Sequence, residues 1–315
     1  MALVLEVDRS RWDTHVAATA ARVPRLIPVV KGNGYGLGRD WLAARAAALA
    51  PTLAVGTVHE VASIPRGHRA VVLTPTLDPS PLDAVALARD EVVLTVGSAA
   101  HLAALGSTPC RVVVKIRSSM HRYGVPIGEL ASFIDTIHTA GHSVDAVSIH
   151  LPLDGDPNEA SRLIDDVDPS LPVHLSHVTI EQFDDLAMRH ARHSLHLRLG
   201  THLWHGDKDA LRLLADVLDT EDVSAGTRVG YRSVATPHDG TLVMIGCGSS
   251  HGVAPLPDGR SPFHFARQRL DLVEPPHMHT SMALTRPNQP APAVGDRVDV
   301  QRPLTQTTPD SIEWI

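Results

Sequence analysis

The stretch that decides the fold reads Leu26-Ile27-Pro28-Val29-Val30-Lys31-Gly32-Asn33-Gly34-Tyr35-Gly36-Leu37-Gly38. Its first part is a short apolar run rich in β-branched residues, which predicts a buried strand. Its second part contains four glycines, and residues without a Cβ let the backbone approach a bulky ligand closely. Lys31 stands where the two parts meet, so we expect a lysine at a strand end beside a ligand site.

The same unit, a short β-branched run followed by an alanine-rich stretch with helical spacing, recurs from Leu26 to about Leu203. Eight such units favour a closed (β/α)8 barrel over an open doubly wound sheet, because chemically reactive side chains stand at the strand ends. No Gly-x-Gly-x-x-Gly turn follows the first strand. The candidate strands are Leu26–Val30, Leu53–Val58, Ala70–Thr74, Val92–Val96, Arg111–Ile116, Ala146–His150, Val173–Leu175 and Leu195–Leu199.

The pattern changes after residue 219. Strand-like runs such as Thr241–Ile245 and Leu270–Val273 are separated there by turns rich in proline and glycine, without convincing helices. We therefore expect an α/β protein with a barrel over residues 1–219 and a smaller C-terminal β domain over residues 220–315. Two further segments are expected to be loops, namely Val253–Phe263 and Arg286–Asp296.

The composition limits the class of partner. The chain has 315 residues, 43% of them hydrophobic, and a net charge of −7 from 28 basic and 35 acidic residues that are spread along it. That distribution argues against a nucleic-acid surface or a basic membrane patch, so a small-molecule substrate is expected. No signal peptide or long apolar segment is evident, which predicts a cytoplasmic protein. Cys110 and Cys247 are expected to be free, buried thiols, and most of the 20 histidines to be surface residues.

Lys31 has a clear chemical use at the mouth of a barrel. A lysine that loses solvation has a lowered pKa, and its neutral amine can attack an aldehyde. For an isolated Val-Lys-Gly, however, a surface lysine before a flexible turn is the simpler explanation.

The wider motif resembles a known family. Val30 to Gly38 resembles the pyridoxal-phosphate lysine signature of the alanine racemase family, Leu5-Glu6-Val7-Asp8 resembles its opening strand, and further matches follow in the family's order. The resemblance implies a pyridoxal 5′-phosphate-dependent amino-acid racemase that acts on alanine or another small-to-medium amino acid. Lys31 would carry the cofactor as a Schiff base and act as one of two bases, and Tyr35 would hydrogen-bond the phosphate.

Two further barrel motifs fit this resemblance. In the segment from Lys115 to Gly124, Arg122 would contact the cofactor's phenolic oxygen and the substrate, and Lys115 would be the lysine that the family often carbamylates. A purely structural lysine explains Lys115 equally well. His150, at a strand end, would lie against the pyridine ring, although a single histidine there is more often structural.

The segment Arg198-Leu199-Gly200-Thr201 resembles the family segment whose arginine faces the pyridine nitrogen, while the amides of Gly200 and Thr201 would grip the phosphate. An arginine keeps its proton at ordinary pH, so the nitrogen would stay largely unprotonated and the ring would be a weaker electron sink. That favours simple proton return over transamination.

Racemisation needs a second acid/base group on the other face of the α-carbon. Tyr231, in a segment that resembles the family's catalytic-tyrosine segment, would supply it to the other subunit of a homodimer with shared active sites. Tyrosine ordinarily titrates near 10, so Tyr231 would need a neighbouring cation, and Arg232 is too close in sequence to assume that role. The backbone of Met278 would meet the substrate carboxylate; core packing explains Met278 equally well.

The chain departs from the family pattern mainly at substrate-facing positions, which implies altered or broader substrate choice. Its end at Ile315 is expected to omit a terminal phosphate-contacting tyrosine. The other departures are Arg117 for an acidic residue, Ser119 for a glycine, Val178 and Thr179 for an Asn-Ser pair, and a segment 245–252 without the tyrosine that narrows the alanine pocket.

Two other functions stay open at this stage. His277 and His279 could bind one metal ion if they lay two apart on a strand, as in a metal-assisted aldolase or dehydratase for D-hydroxy amino acids. The lysine motif argues against that enzyme, and we expect no metal. The altered pocket would also suit a non-catalytic protein that carries pyridoxal phosphate, which the retained Tyr231 argues against.

Overall fold

The computed structural model describes residues 3–78 and 91–315. Contacts divide these residues into two compact units. The barrel unit contains Val16–Gly34 and the described residues from Arg39 to Trp204. The sheet unit contains the described residues up to His15, the short segment Tyr35–Gly38, and His205–Ile315.

The barrel unit is built on eight parallel strands, as the sequence predicts. Their order is β2-β9-β8-β7-β6-β5-β4-β3, and the barrel closes where Val29 bridges Ala54, with the Val30 N–H donating to the Ala54 carbonyl at 2.8 Å. The strands are β2 Leu26–Pro28, β3 Thr52–Val55, β4 Arg69–Val72, β5 Val92–Val96, β6 Arg111–Lys115, β7 Ser143–His150, β8 Val173–Ser176 and β9 Leu195–Leu199.

Helices follow the barrel strands. The helical stretch expected before β5 falls largely on residues 79–90, outside the described residues. The described helices are α1 Arg9–Arg22, α2 Arg39–Ala47, α3 Ala99–Ala104, α4 Leu130–Thr139, α5 Pro157–Asp165, α6 Ile180–Arg189 and α7 Thr201–His205.

The barrel strands are rich in aliphatic residues because they form the core of the barrel unit. Parallel strands covered on both faces are buried throughout, so they lack the apolar-polar alternation of half-exposed strands. All five residues of β5 are buried. One apolar cluster connects strands β2 to β7; it comprises Ile27, Val29, Ala54, Val71, Val93, Val113 and Ala146.

The sheet unit contains a nine-stranded, mainly antiparallel sheet in the order β15-β14-β18-β10-β13-β17-β16, with β1 paired to β10 and β19. A separate hairpin joins β11 to β12. The strands are β1 Leu3–Val7, β10 Leu211–Val223, β11 Arg228–Val229, β12 Val234–Ala235, β13 Gly240–Ile245, β14 Phe263–Phe265, β15 Gln268–Arg269, β16 Asp271–Leu272, β17 Ser281–Leu284, β18 Arg297–Val300 and β19 Ser311–Trp314.

The two units divide the chain differently from the expected boundary after residue 219. That position lies inside β10, whose first residues pair with β1 from Leu3 opposite Ala215 to Val7 opposite Leu211. The N-terminal strand therefore belongs to the sheet rather than to the barrel. The reason is hydrogen bonding over a long sequence separation, which local patterns do not reveal.

Several smaller expectations can be compared directly with the structure. Cys110 and Cys247 are free thiols, but only Cys247 is buried, whereas Cys110 is half-buried. None of the described helices is long and apolar enough to cross a membrane. The expected surface placement holds for a minority of the 20 histidines, because five are exposed, eleven are half-buried, and four are buried, namely His142, His174, His190 and His251.

We predict that Trp204→Phe destabilises the barrel unit. Trp204 is fully buried, and its indole N–H donates to the Val29 carbonyl at 2.8 Å. Loss of that donor should lower the free energy of unfolding by about 1–3 kcal/mol. Urea unfolding followed by far-UV circular dichroism measures it, with Trp41→Phe, at a residue 40% exposed, as the control. An unchanged urea midpoint for Trp204→Phe would contradict the prediction.

Candidate active site

The carboxyl ends of the barrel strands bring together most of the residues singled out from the sequence. Lys31 follows β2, Lys115 ends β6, His150 ends β7 and Arg198 lies in β9. Parallel strands of a barrel all end at the same side, which is where active sites of such barrels lie. Lys31 is exposed to solvent at this side of the barrel. Its amine is nevertheless partly buried, and this burial, followed by the charges of Arg122 and Arg198, lowers the pKa of Lys31.

The turn after Lys31 needs its glycines. The φ angle is +64° at Gly32, +66° at Gly34 and +86° at Gly36, a left-handed conformation that side chains disfavour. Tyr35 adopts it as well, with φ at +57°. The turn closes where the Gly34 N–H donates to the Lys31 carbonyl at 3.2 Å.

Glu60 anchors this turn, and the sequence analysis missed it. Its carboxylate accepts from the Gly32 N–H at 3.0 Å and from the Gly56 N–H at 2.6 Å. A Cβ at Gly56 would lie 3.3 Å from the Lys31 Cβ, so the backbone packs tightly against the lysine. The carboxylate also favours the charged form of Lys31, against the larger effect of burial.

A hydrogen-bonded chain of three side chains forms the base of the site. The Arg198 guanidinium donates to Ser176 Oγ at 2.8 Å, and Ser176 Oγ lies 2.5 Å from His150 Nδ1. Arginine can only donate, so the serine hydroxyl accepts from Arg198. The Arg198 guanidinium also lies 3.5 Å from His150 Nδ1, which makes this nitrogen an acceptor and Ser176 its donor. His150 then carries its proton on Nε2 and is neutral. Burial and then Arg198 lower the pKa of His150 to about 2.

His177 is a second ring in the site that the sequence analysis did not assign. Its ring centroid lies 4.2 Å from that of His150, and its Nδ1 lies 2.9 Å from the Leu151 carbonyl. Burial is the main cause of its lowered pKa, with contributions from Arg198, Lys31 and Arg122. The available signal was the placement of His150 and His177 at the ends of neighbouring parallel strands.

Lys115 is only 5% exposed, and its amine has no hydrogen-bond partner within the described residues. Burial, and then the charges of Arg198 and Arg122, lower the pKa of Lys115 to about 6. The amine is therefore mostly neutral near pH 7, which suits either a structural role or reaction with carbon dioxide.

Of the remaining predicted residues, Arg122, Gly200 and Thr201 belong to the barrel unit. Arg122 is exposed and its guanidinium carbon lies 5.1 Å from the ring centroid of Tyr123. Gly200 and Thr201 lie where β9 passes into α7, and the Gly200 carbonyl accepts from the Trp204 N–H at 3.0 Å. Tyr35 is buried in the sheet unit, with its ring 5.6 Å from His205.

The other predicted residues lie in the sheet unit. Tyr231 is 88% exposed, in the turn between β11 and β12, and its ring centroid lies 4.4 Å from that of His277. Met278 is 67% exposed, so core packing does not explain it. Its carbonyl accepts from the N–H and the hydroxyl of Ser250, at 3.0 and 2.5 Å.

His277 and His279 do not lie on a strand, which removes the premise of the metal alternative. They stand in the loop before β17 and use different partners, since His277 Nε2 lies 2.6 Å from Glu274 while His279 Nδ1 lies 3.0 Å from Ser250. Across residues 3–78 and 91–315, no group of three or more histidine, cysteine, aspartate or glutamate side chains is placed to hold a metal ion.

The barrel-mouth residues fit pyridoxal phosphate. The cofactor has an aldehyde for an amine, a pyridine nitrogen that accepts a hydrogen bond, and a phenolic oxygen and a phosphate that attract cations. Lys31, Arg198 and Arg122 offer the matching groups. The buried amine of Lys115 has no hydrogen-bond partner among the described residues. The barrel-mouth residues therefore include a hydrogen-bond donor that no described protein group accepts.

Comparisons with known proteins agree with this description. The family model for the alanine racemase N-terminal domain matches residues 7–199, more than half of the chain, and the protein belongs to the alanine racemase family. A comparison with curated protein sequences finds no match.

Solved structures of alanine racemases share the whole fold at low sequence identity. The enzyme from Bartonella henselae, with covalently bound pyridoxal phosphate, matches with a TM-score of 0.76 at 18% identity, and the match covers 100% of both chains. The biosynthetic enzyme from Pseudomonas aeruginosa gives 0.73 at 19% identity, covering 100% of this chain and 99% of that one. The barrel with its β domain is thus the family's architecture.

We predict a pH-dependent contribution of Lys115 to stability. The unfolded chain keeps this proton up to about pH 10.5, whereas the folded protein releases it above about 6. Unfolding therefore takes up a proton between these values, and stability rises with pH across the window, by up to about 1.4 kcal/mol per pH unit for one group.

Urea unfolding of wild type and Lys115→Met, at pH 6 and pH 9 in buffers free of carbon dioxide, tests this. The stability of wild type relative to the variant should be greater at pH 9. Exposed Lys208 supplies the control variant Lys208→Met, for which we expect no such change. An equal difference between wild type and Lys115→Met at both pH values would show that the amine is not held neutral.

Proposed function

We propose that the protein is a pyridoxal-phosphate-dependent amino-acid racemase. The observation that carries the proposal is the Arg198–Ser176–His150 chain beside the pKa-lowered Lys31, at the mouth of a family barrel. Pyridoxal phosphate, when bound, withdraws electrons from the substrate and makes the α-proton acidic. The substrate would be alanine or another amino acid with a small-to-medium side chain.

Lys31 would hold the cofactor and move a proton on one face of the substrate. Its lowered pKa supports both uses, because a neutral amine is needed for attack and for proton abstraction. Glu60 holds the turn that presents it. Arg122 would bind the phenolic oxygen and the substrate, and Tyr35, Gly200 and Thr201 would hold the phosphate.

Arg198 would set the type of reaction. Its side chain is buried and hydrogen-bonded, and although burial lowers its pKa to about 10, it stays protonated near pH 7. Such a group donates to the pyridine nitrogen without giving up its proton. The neutral His150 and His177 rings offer no strong acid beside the cofactor, so proton return at the α-carbon is favoured over transamination.

Tyr231 would be the second base, and its side chain would act in the active site of the partner in a homodimer. Its exposure supports this use, because a tyrosine with 88% of its surface free is available to another chain. The backbone of Met278 would meet the substrate carboxylate. Carbamylated Lys115 would place a negative charge near Arg198 and Arg122, which is consistent with their effects on its pKa.

Substrate choice would differ from that of the usual family member. At the departing positions, Arg117 donates to the Gly124 carbonyl at 3.2 Å, and Ser119 donates its N–H and hydroxyl to Glu159 at 2.6 and 2.7 Å. Segment 245–252 contains no tyrosine, phenylalanine or tryptophan. A pocket without an aromatic wall accepts larger side chains, and each buried methylene contributes about 0.8 kcal/mol.

We predict that Lys31→Ala and Tyr231→Phe separate the two proton transfers. Wild type should racemise one or more amino acids in a panel of increasing side-chain size. Lys31→Ala should lose the visible absorbance of bound cofactor and all turnover. Tyr231→Phe should keep the absorbance but lose about 10²–10⁴-fold in turnover, and in deuterium oxide it should exchange the α-proton of one enantiomer only, without inversion.

The measurements are circular dichroism of the amino acids and proton NMR in deuterium oxide, with Lys208→Ala as the control variant. Normal racemisation by Tyr231→Phe would disprove its role as the second base. Cofactor binding without exchange of any α-proton would instead favour a carrier. Loss of activity in a chelator would favour the metal-assisted alternative.

A further inference from the structure

We propose that Glu274 and His277 are positioning residues that fix the orientation of Tyr231. The inference rests on the proposed use of Tyr231 as a base and adds what holds it in place. A neighbouring cation was expected to support Tyr231 as a base. The structure instead places a carboxylate and an imidazole beside it, from two residues more than forty positions away.

Glu274 is the fixed point of this cluster. Its side chain is 2% exposed, and its carboxylate accepts from the Tyr231 N–H at 2.8 Å, the Arg232 N–H at 3.0 Å and His277 Nε2 at 2.6 Å. Burial alone raises the pKa of a carboxyl group, but here these hydrogen bonds outweigh burial and lower the pKa of Glu274. A buried, ionised carboxylate with three donors is costly to displace.

The turn that carries Tyr231 is shaped around this carboxylate. Gly230 has φ at +73°, and a Cβ at that position would overlap the Glu274 carboxylate. Ser233, with φ at +51°, donates its N–H to the Gly230 carbonyl at 3.2 Å and closes the turn. The backbone at Tyr231 is therefore set by Glu274, through two successive amides.

His277 sets the direction of the Tyr231 ring. The two ring centroids lie 4.4 Å apart at an interplanar angle of 50°. His277 is itself held by Glu274 and by its backbone, because its N–H donates to the Thr280 carbonyl at 2.9 Å and its carbonyl accepts from the Ser249 N–H at 2.7 Å. The exposed Tyr231 ring thus packs against the His277 ring, whose own position is fixed.

The arrangement matters because proton transfer depends steeply on distance. A displacement of about 1 Å can lower a rate 10²-fold, and an exposed tyrosine on an unsupported turn would sample many orientations. Glu274 and His277 reduce that freedom before any partner binds.

The test uses Glu274→Gln and His277→Ala. The glutamine amide would face backbone donors with a donor of its own, and the alanine removes the ring. Asp271→Asn is the matched control, since Asp271 is three residues from Glu274 but pairs with Arg286 at 2.8 Å. The chain has three tyrosines, so NMR of ring-labelled tyrosine assigns Tyr231 as the signal missing from Tyr231→Phe.

In protein without cofactor, we expect the Tyr231 ring signals of both variants to move toward those of free tyrosine, and those of Asp271→Asn to stay. In the holoenzyme, kcat should fall about tenfold or more, with cofactor absorbance and KM unchanged. On the Tyr231→Phe background, His277→Ala should cause no further loss, because its effect passes through Tyr231.

Unchanged Tyr231 signals in His277→Ala would overturn the proposal, and so would an equal loss of kcat with and without the Tyr231 hydroxyl. If Glu274→Gln does not fold, His277→Ala decides alone, since its side chain is 19% exposed and tolerates truncation better. If wild type racemises no amino acid, the proposed function fails, whereas the NMR comparison still shows whether Glu274 and His277 hold Tyr231.

Discussion

Crowding of cations at the carboxyl ends of the barrel strands is the constraint on which the site depends. Arg198 and Lys115 are buried, and Lys31 is partly buried beside the same cations. Burial is the main cause of the lowered pKa of Lys31 and of Lys115, and the charges of Arg122 and Arg198 lower both pKa values further. Both amines therefore lose their protons more readily than an ordinary lysine does.

That charge pattern limits the ligands that the barrel mouth can accept. Glu60 interacts with Lys31, and Glu159 favours the charged form of Lys115, but neither offsets the effect of burial. An anionic, planar ligand would supply the missing negative charge. The Ser176 hydroxyl lies between the charged Arg198 and the neutral His150. It accepts a hydrogen bond from Arg198 and donates one to His150.

The sequence predicted most of the barrel and little of what supports the site. Val92–Val96 and Leu195–Leu199 were predicted to the residue, because buried parallel strands with short connections leave a strong local pattern. The barrel residues Lys31, Lys115, His150 and Arg198 were also found, since each stands at or near a strand end. Their joint use of one cofactor is a proposal.

What the sequence did not reveal are partners that only the folded chain brings together. Ser176 and His177 had no assigned role, because a serine or histidine at a strand end is usually structural. Glu60 and Glu274 were missed because each accepts hydrogen bonds from backbone amides. A sequence does not show which side chain binds a backbone amide. The assignment of β1 to the sheet unit depends on pairing with β10, more than two hundred residues away.

The pairing of β1 has a consequence for biosynthesis. This strand is synthesised long before its neighbours in the sheet, which are Leu211–Val223 and Ser311–Trp314. All eight barrel strands are complete before either neighbour exists. β1 therefore has neither of its sheet partners while the barrel strands are made. An unpaired strand edge favours contacts with other chains. The sheet unit, with Tyr231 on it, can finish folding only after Ser311–Trp314 has been made.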